Sequence, residues 1–465
     1  MTIWVPALRG EGARYRQIAE AIGEAIESGE LAVAARLPPQ RRLAEALGVT
    51  VGTVTRAYSE AERQGLVEAR VGSGTYVRDQ TQRGAAFSHV SAARHDSAWI
   101  DLSLALPPAS REREASLGRA LAAAQKDPQA LAHALDYQPE GGLDAHRDIY
   151  ARWLDHLGLP MDADELIINQ GGMNGIFLAA TALAGPGDRI AAERLTYPGL
   201  ISVAGQLGLR PVGLAHDAEG LDIEVLYSRH DRQPFSVLYV MPEHQNPTTA
   251  WLSEARREAL VAFARARDVW LIEDGVQHLP PAERGTPLYR LAPERTIFLF
   301  SVSKILGGGL RSGAMRVPGA VYERVATAVR NVSWMPPPLI ASIVGQWIAS
   351  GDADRVLDNQ FAELDARQRI AERELAGHTV YSRRGGFYLW IELPAEQRAA
   401  QVVERLAAEQ IRVSSAEAFC VGSEPAPQAI RVCMSAARDR AELAHALARI
   451  RGVLDTPGPR VWQTI

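Results

Sequence analysis

Of the 50 lysines and arginines in this 465-residue chain, only Lys126 and Lys304 are lysines. Arginine is used almost everywhere a cation alone will do, so a lysine set among apolar residues and glycines asks for a chemical reason. Arginine stays protonated and cannot condense with an aldehyde, whereas a lysine of lowered pKa can. Lys304 stands in SVSKILGGGLRSG, between the hydroxyls of Ser301 and Ser303 and a glycine run that leads to Arg311. Hydroxyls, a guanidinium and close backbone suit a phosphate, and a nearby amine suits an aldehyde. The order of glycines and lysine is not that of a nucleotide P-loop. Lys126 reads as an ordinary surface lysine.

Two further strings could serve the same chemistry. In QGGMNGIFLAATALAG, Gly171 and Gly172 precede an apolar helix whose first amides are free to bind phosphate. In VWLIEDG, a buried strand ends on Glu273 and Asp274. An aspartate there either caps a helix or keeps a pyridine nitrogen protonated, so that the ring stores electrons. Cys420 and Cys433 form neither a disulfide framework nor a metal spacing, and no metal site is expected.

The elements that must hold these residues follow from periodicity. LIIN, DRIAAE, SVLYVMP, VWLIED and TIFLFS are continuous apolar runs, as strands buried on both faces require. Long Ala- and Arg-rich helices alternate with them, which predicts an α/β domain around a mostly parallel sheet. Past residue 350, a long helix, GGFYLWIELP, a helix near 398–410, IRVSS, AIRVCMS and a final helix read as a smaller α+β lobe. The expected large domain spans 99–455, with lobes at about 120–340 and about 350–455.

Residues 1–80 look different. YRQIAEAIGEAIE puts Ile18, Ile22 and Ile26 on one helical stripe, QRRLAEALG forms a second helix ending at Gly48, and residues 51–64 form a third. Val51, Val54, Tyr58 and Ala61 share one face of that third helix, and Gly52, Thr53 and Arg56 share the other. LVEAR-VGSG-TYVR then reads as two strands around a Gly-rich tip. This is a helix-turn-helix with a wing. The net charge of −5 gives no global attraction to nucleic acid, yet residues 31–59 carry Arg36, Arg41, Arg42 and Arg56 against Glu45 alone. A small protein-interaction domain with a basic face has the same charge pattern. Residues 79–98 are small, polar and aperiodic, which predicts a flexible linker. The first residues lack a signal-peptide pattern, and no run reaches the roughly 20 apolar residues a membrane span needs, so a cytoplasmic location is expected.

The string LPPQRRLAEALGVTVGTVTRAYSEAERQGLVEARVGSGTYV closely resembles the GntR-type winged helix, over about residues 12–78. By that resemblance Arg41, Thr53 and Arg56 contact double-stranded DNA, and the wing near Arg70 and Ser73 touches phosphate or the minor groove. Many relatives have an arginine where Gly52 stands, so the operator preference does not carry over.

The strings YQPEGG, NQGGMNG, LTYPG, PEHQNPT, LIEDG, SVSK-GGGLRSG, GGFYLW and IRVCMS, in that order, make residues 100 to about 455 resemble a fold-type I aminotransferase domain. Joined to a GntR-type winged helix, the chain resembles the MocR/GabR regulators. The resemblance implies a pyridoxal 5′-phosphate cofactor, with Lys304 as its internal aldimine and Asp274 on the pyridine nitrogen. It implies Asn246 on the phenolic oxygen, Tyr197 stacked on the ring, and Gly172, Met173, Ser301, Ser303 and Arg311 on the phosphate. Tyr137 would reach the phosphate of a neighbouring subunit in a homodimer, and Arg431 would clamp the carboxylate of an amino-acid ligand. Plainer roles exist for some of them: core aromatics for Tyr137 and Tyr197, a turn for Asn246 before Pro247, an ion pair for Arg431. The tyrosine that relatives place shortly after the aspartate is replaced by Val276 and Gln277, and QNPTTA lacks a glycine after its threonine. These features imply a transcriptional regulator that senses an amino acid, an amine or the cofactor itself. The alternative is a working aminotransferase that carries a winged helix. A descendant that has lost the cofactor fits poorly with an intact set of Lys304, Asp274, Arg311 and Arg431.

Overall fold

The computed structural model describes residues 4–6, 8, 13–63, 66–70, 74–77, 99–422 and 425–456. The expected linker, 79–98, lies outside the described residues. Near the N-terminus, α1 (Arg14–Glu27), α2 (Gln40–Leu47) and α3 (Val51–Arg63) precede an antiparallel pair, β1 (Val67–Arg70) and β2 (Gly74–Val77). Pro38 and Pro39 lead into α2, and Gly48 ends it at φ +63°, a left-handed cap that a side chain would strain. Ile18, Ile22, Leu43, Val54 and Ala61 are buried together. The buried hydroxyl of Tyr58 donates to the Pro38 carbonyl at 2.7 Å, tying α3 to the turn before α2. One expectation fails: Val51 is exposed, and Ala57 takes its place in the core. Val51 is the first residue of α3, so its side chain leans past the helix end instead of onto the neighbouring helices.

The large domain begins with β3 (Ile100–Asp101). There follow β4 (Leu166–Asn169), β5 (Arg189–Glu193) and β6 (Arg210–Leu214), then a small hairpin of β7 (His216–Asp217) and β8 (Gly220–Leu221). Next come β9 (Val237–Val240), β10 (Trp270–Asp274), β11 (Thr296–Ser301) and β12 (Gly313–Arg316). Seven of these form one sheet, in the spatial order β4-β12-β11-β10-β9-β5-β6. All pairs are parallel except those of β12, which runs antiparallel to both neighbours. The sheet is therefore mixed, with one reversed strand among the mostly parallel ones that the apolar runs predict.

Alternation explains why those runs are unbroken. In β11, Ile297 and Leu299 enter the core on one face while Phe298 and Phe300 enter the core on the other. With helices on both faces, neither set of side chains can be polar.

The remaining strands are β13 (Val380–Tyr381), β14 (Leu389–Glu392), β15 (Ile411–Arg412), β16 (Ser414–Ser415) and β17 (Ala429–Val432). Four make an antiparallel sheet, β13-β14-β17-β16, while β15 pairs in parallel with β3. An Asp101–Arg412 ion pair at 3.0 Å and the burial of Leu102 among Ile411, Ile430 and Leu447 fix the entering segment onto this small lobe. Helix Asp352–Glu374 is fastened to the same lobe by the buried Arg367, whose Nη1 donates to the carbonyls of Met434, Ser435 and Ala437. Arg367→Ala leaves those carbonyls without that donor and removes one of the two arginines paired with Glu363, Arg440 being the other. The expected cost is about 3 kcal/mol or more, visible as a fall of several degrees in the melting temperature of the large domain. An unchanged melt would show that this fastening is dispensable.

Candidate functional site

The C-terminal ends of β10 and β11 and the helix start that follows β4 open on one cavity of about 360 Å³, and the small lobe closes its other side with Ser414, Phe419 and Arg431. Such a position, beyond the carboxyl ends of parallel strands, is where open α/β sheets bind ligands. Gly171, at φ +87°, leads into the helix Gly172–Leu183, whose first amides have no intrahelical partner. A Cβ on Gly171 would lie 3.1 Å from Arg311 Nη2 and 3.3 Å from Ser301 Oγ, and one on Gly172 would press into Val276 at 2.8 Å. The two glycines therefore bring backbone amides, a hydroxyl and a guanidinium to one point. Arg311 itself sits at φ +47° and donates to the Gln170 carbonyl at 2.7 Å. Ser301 Oγ donates to Ser303 Oγ at 2.8 Å and accepts from the Ser303 amide at 3.2 Å. A helix N-terminus, two hydroxyls and a guanidinium make an anion cradle.

Lys304 follows within the same short turn as Ser303 and is part-buried, its Nζ donating to the Ala105 carbonyl. Burial lowers its pKa to about 8, so a large share of the amine is unprotonated at mildly alkaline pH. Asp274, buried at the end of β10, accepts the Val276 amide on Oδ1 at 2.9 Å and the Tyr239 hydroxyl on Oδ2 at 2.5 Å. Burial holds this carboxyl above its ordinary range, and the two donors partly offset that. Tyr197 lines the cavity at the start of helix Pro198–Gln206, its phenol pushed up to about 12 by burial.

Arg431, on β17, reaches back to the large lobe. Its Nη1 donates to Asn246 Oδ1 at 2.7 Å and its Nη2 to the Ser103 carbonyl at 2.5 Å, and Phe419 lies 4.6 Å beneath its guanidinium carbon. With Oδ1 engaged, the amide NH2 of Asn246 is the end free to donate. Gly172, Met173, Tyr197, Asn246, Asp274, Ser301, Ser303, Lys304, Arg311 and Arg431 thus all line one cavity. Val276 and Gln277 line it too.

Tyr137 is not brought there. It is 81 % exposed and packs against Trp334 with ring centroids 5.6 Å apart, which also excludes a role as a core aromatic. On the winged helix, Arg41 and Arg56 are exposed and Thr53 half-exposed. Arg56 lies over the ring of Tyr15 at 4.1 Å, and Thr53 bonds Thr50 at 2.9 Å. Ser73 and the side chain of Arg70 lie outside the described residues.

Sequence reasoning missed two contributors. Tyr239 sits in the run VLYV, where a buried hydroxyl must find an acceptor, and that requirement is itself a signal. The segment Ser103–Pro107 gives two of its carbonyls to Arg431 and Lys304, but its sequence, SLALP, carries no motif. Among the described residues no cluster of three or more His, Cys, Asp or Glu is placed to hold a metal, and no helix is long and apolar enough to cross a membrane.

Residues 102–450 match the model of aminotransferase class I and II. The chain belongs to that family. Residues 14–77 match the gntR family of bacterial regulatory proteins, so a GntR-type winged helix is fused to an aminotransferase domain, the architecture of the MocR/GabR regulators. The chain is 28% identical over 459 residues to an uncharacterized HTH-type transcriptional regulator, YdeF, of Bacillus subtilis, covering 97% of each chain. It is 30% identical over 354 residues to the HTH-type pyridoxine biosynthesis transcriptional regulator PdxR of Corynebacterium glutamicum, covering 72% of this chain and 73% of that one. The fold is also that of LysN, an α-aminoadipate aminotransferase from Thermus thermophilus solved with N-(5′-phosphopyridoxyl)-L-leucine. The TM-score is 0.69 at 21% identity, over 80% of this chain and 96% of that one. This member of the family is a transcriptional regulator that binds DNA through its GntR-type domain.

The buried Asp274 makes a testable strain. Its folded pKa is raised, so its contribution to stability is complete below the unfolded value of about 4 and is lost as pH rises through the folded value. Asp274→Asn has no titrating group at that position. In melts without added cofactor, the variant is expected to gain on the native chain as pH rises above the unfolded value of about 4. A gap that stays constant with pH would show that the carboxylate is not strained.

Proposed function

We propose that this regulator holds pyridoxal 5′-phosphate on Lys304 and answers an amino ligand that competes for the same cofactor. The single observation that carries the reading is convergence. An amine of lowered pKa, a buried carboxylate, an anion cradle and a carboxylate-sized guanidinium fork face one cavity. The donor set fits a phosphorylated aromatic aldehyde. Gly172, Met173, Ser301, Ser303 and Arg311 would hold the phosphate, Asp274 the pyridine nitrogen and Asn246 the phenolic oxygen, with Tyr197 against the ring. When bound, such a cofactor supplies an aldehyde carbon that exchanges amines and a ring that stores an electron pair. Lys304 would give and take protons at its Nζ, and Arg431 would orient a ligand carboxylate. LysN, of the same fold, is solved with a phosphopyridoxyl amino acid, which supports the cofactor class.

Exposed Tyr137 supports a homodimer in which it reaches the phosphate site of a second copy, and ligand binding would then bias that dimer between DNA-competent and incompetent arrangements. DNA contact would fall to Arg41, Thr53 and Arg56, with Arg70 and Ser73 on the wing. The working place would be the cytoplasm, on the nucleoid when DNA is bound. A second reading, turnover as an aminotransferase, draws on the same Lys304 and Asp274. Val276 and Gln277 weigh against it, because they leave the phenolic oxygen without the tyrosine donor that relatives carry.

Lys304→Ala is expected to abolish the visible absorbance of the cofactor-loaded chain, and a retained band would sink the cofactor assignment. In the native chain, uptake of the cofactor should accelerate as pH rises through about 8, because only the unprotonated amine attacks an aldehyde. An uptake rate that keeps climbing toward pH 10 would indicate an ordinary solvated lysine.

Arg41→Ala is expected to weaken binding to DNA fragments selected by the native chain and to lower the salt slope by about one. An unchanged slope would remove Arg41 from the interface. Genome-wide mapping of bound sites, with and without candidate amines, tests the regulatory reading. Steady-state transamination without ligand-dependent change in DNA binding would favour the second reading.

A further inference from the structure

We propose that the ligand accepted at this site is an α-amino monocarboxylate with a short, uncharged side chain. The inference rests on the reading of the cavity as a pyridoxal phosphate site, and it begins with charge. Among the described residues that line the cavity, the charged groups are Lys304, Arg311, Arg431 and Asp274. The cofactor accounts for Lys304 at its aldehyde, Arg311 at its phosphate and Asp274 at its ring nitrogen. Arg431 alone is left to answer a ligand. A second carboxylate on the ligand would be buried without a counter-ion, and an amine lacking any carboxylate would leave the buried Arg431 facing only neutral acceptors.

Position narrows the class further. Arg431 Nη1 lies 2.7 Å from Asn246 Oδ1, and Asn246 is the residue assigned to the phenolic oxygen. In pyridoxal that oxygen is on the ring carbon next to the one bearing the aldehyde. A carboxylate on Arg431 is therefore close to the amine it accompanies, as on an α-carbon. An ω-amino acid would carry its carboxylate several bonds too far.

Size and polarity set the side chain. A cavity of about 360 Å³ is near the small end for ligand pockets and must take both cofactor and ligand. Of the walls the cofactor does not claim, Leu104, Leu106, Ala418 and Phe419 are among the apolar ones, while Ser103, Ser414 and Gln277 are polar but uncharged.

The test uses the full chain loaded with pyridoxal phosphate. It is titrated with L-alanine, L-valine, L-glutamate, γ-aminobutyrate and isobutylamine while the visible spectrum is followed. At the aldehyde carbon a C=N double bond would form to the ligand nitrogen as the C=N double bond to Lys304 breaks, with two protons passing from the ligand nitrogen to the lysine nitrogen. L-Alanine and L-valine are expected to half-saturate the change at concentrations about tenfold or more below the other three. A preference for L-glutamate, as a cation supplied by a second copy would give, overturns the inference, and so does equal or better response to γ-aminobutyrate or isobutylamine. Leu106→Arg adds the missing cation, and L-glutamate should gain on L-alanine in that variant. A folded, cofactor-loaded variant without such a gain also overturns it. A native chain that shows no visible band on loading overturns the cofactor reading instead, which keeps the two failures apart.

Discussion

A carboxylate at the inner end of a buried strand has to be supplied with donors, and much of this molecule is arranged around that need. Asp274 closes β10, and burial there favours its neutral form. The Tyr239 hydroxyl, from the adjacent strand, and the Val276 amide hold its two oxygens in place. The parallel register of β9 and β10, which sets Tyr239 opposite Ile272, makes that bond possible. Since the strands end together, Lys304 and the Gly171–Gly172 turn fall around the same point. A chemically demanding group is thereby kept ready on rigid elements, at a cost in stability that the flanking cores offset.

The second organising fact is that the cavity is shared between lobes. Arg431 belongs to the small sheet, yet both of its bonded nitrogens reach residues outside that sheet, Asn246 and Ser103. The chain's entering segment, Ile100 to Pro107, pairs with β15 at one end and lines the cavity at the other. This segment also follows the stretch that connects to the winged helix. Arg431 is thereby bonded to a segment fastened at the first residues of the domain.

The readable parts of the sequence were those whose chemistry is local. Lys304 stood out because arginine had replaced lysine elsewhere, and its hydroxyl and glycine neighbours lie within a few positions. The helix-turn-helix was legible from Pro38, Gly48 and the isoleucine stripe, since caps and periodicity are short-range signals. Val51 was misplaced because a helical wheel has no ends, whereas a real helix does. Tyr239 was passed over as one more apolar strand residue, and the 35 positions between it and Asp274 hid the reason for its hydroxyl.

By itself the sequence determined the class of the domains, the strands that are buried on both faces and the residue types able to handle an aldehyde and a phosphate. Those properties follow from side-chain chemistry and near-neighbour periodicity. Only the tertiary structure decided that the Ser103–Ala105 carbonyls meet Arg431 and Lys304, across 328 and 199 positions of chain. It also decided that β12 runs against its neighbours and that Tyr137 faces outward. These are outcomes of packing. They depend on which distant surfaces bury each other, and no local pattern encodes that.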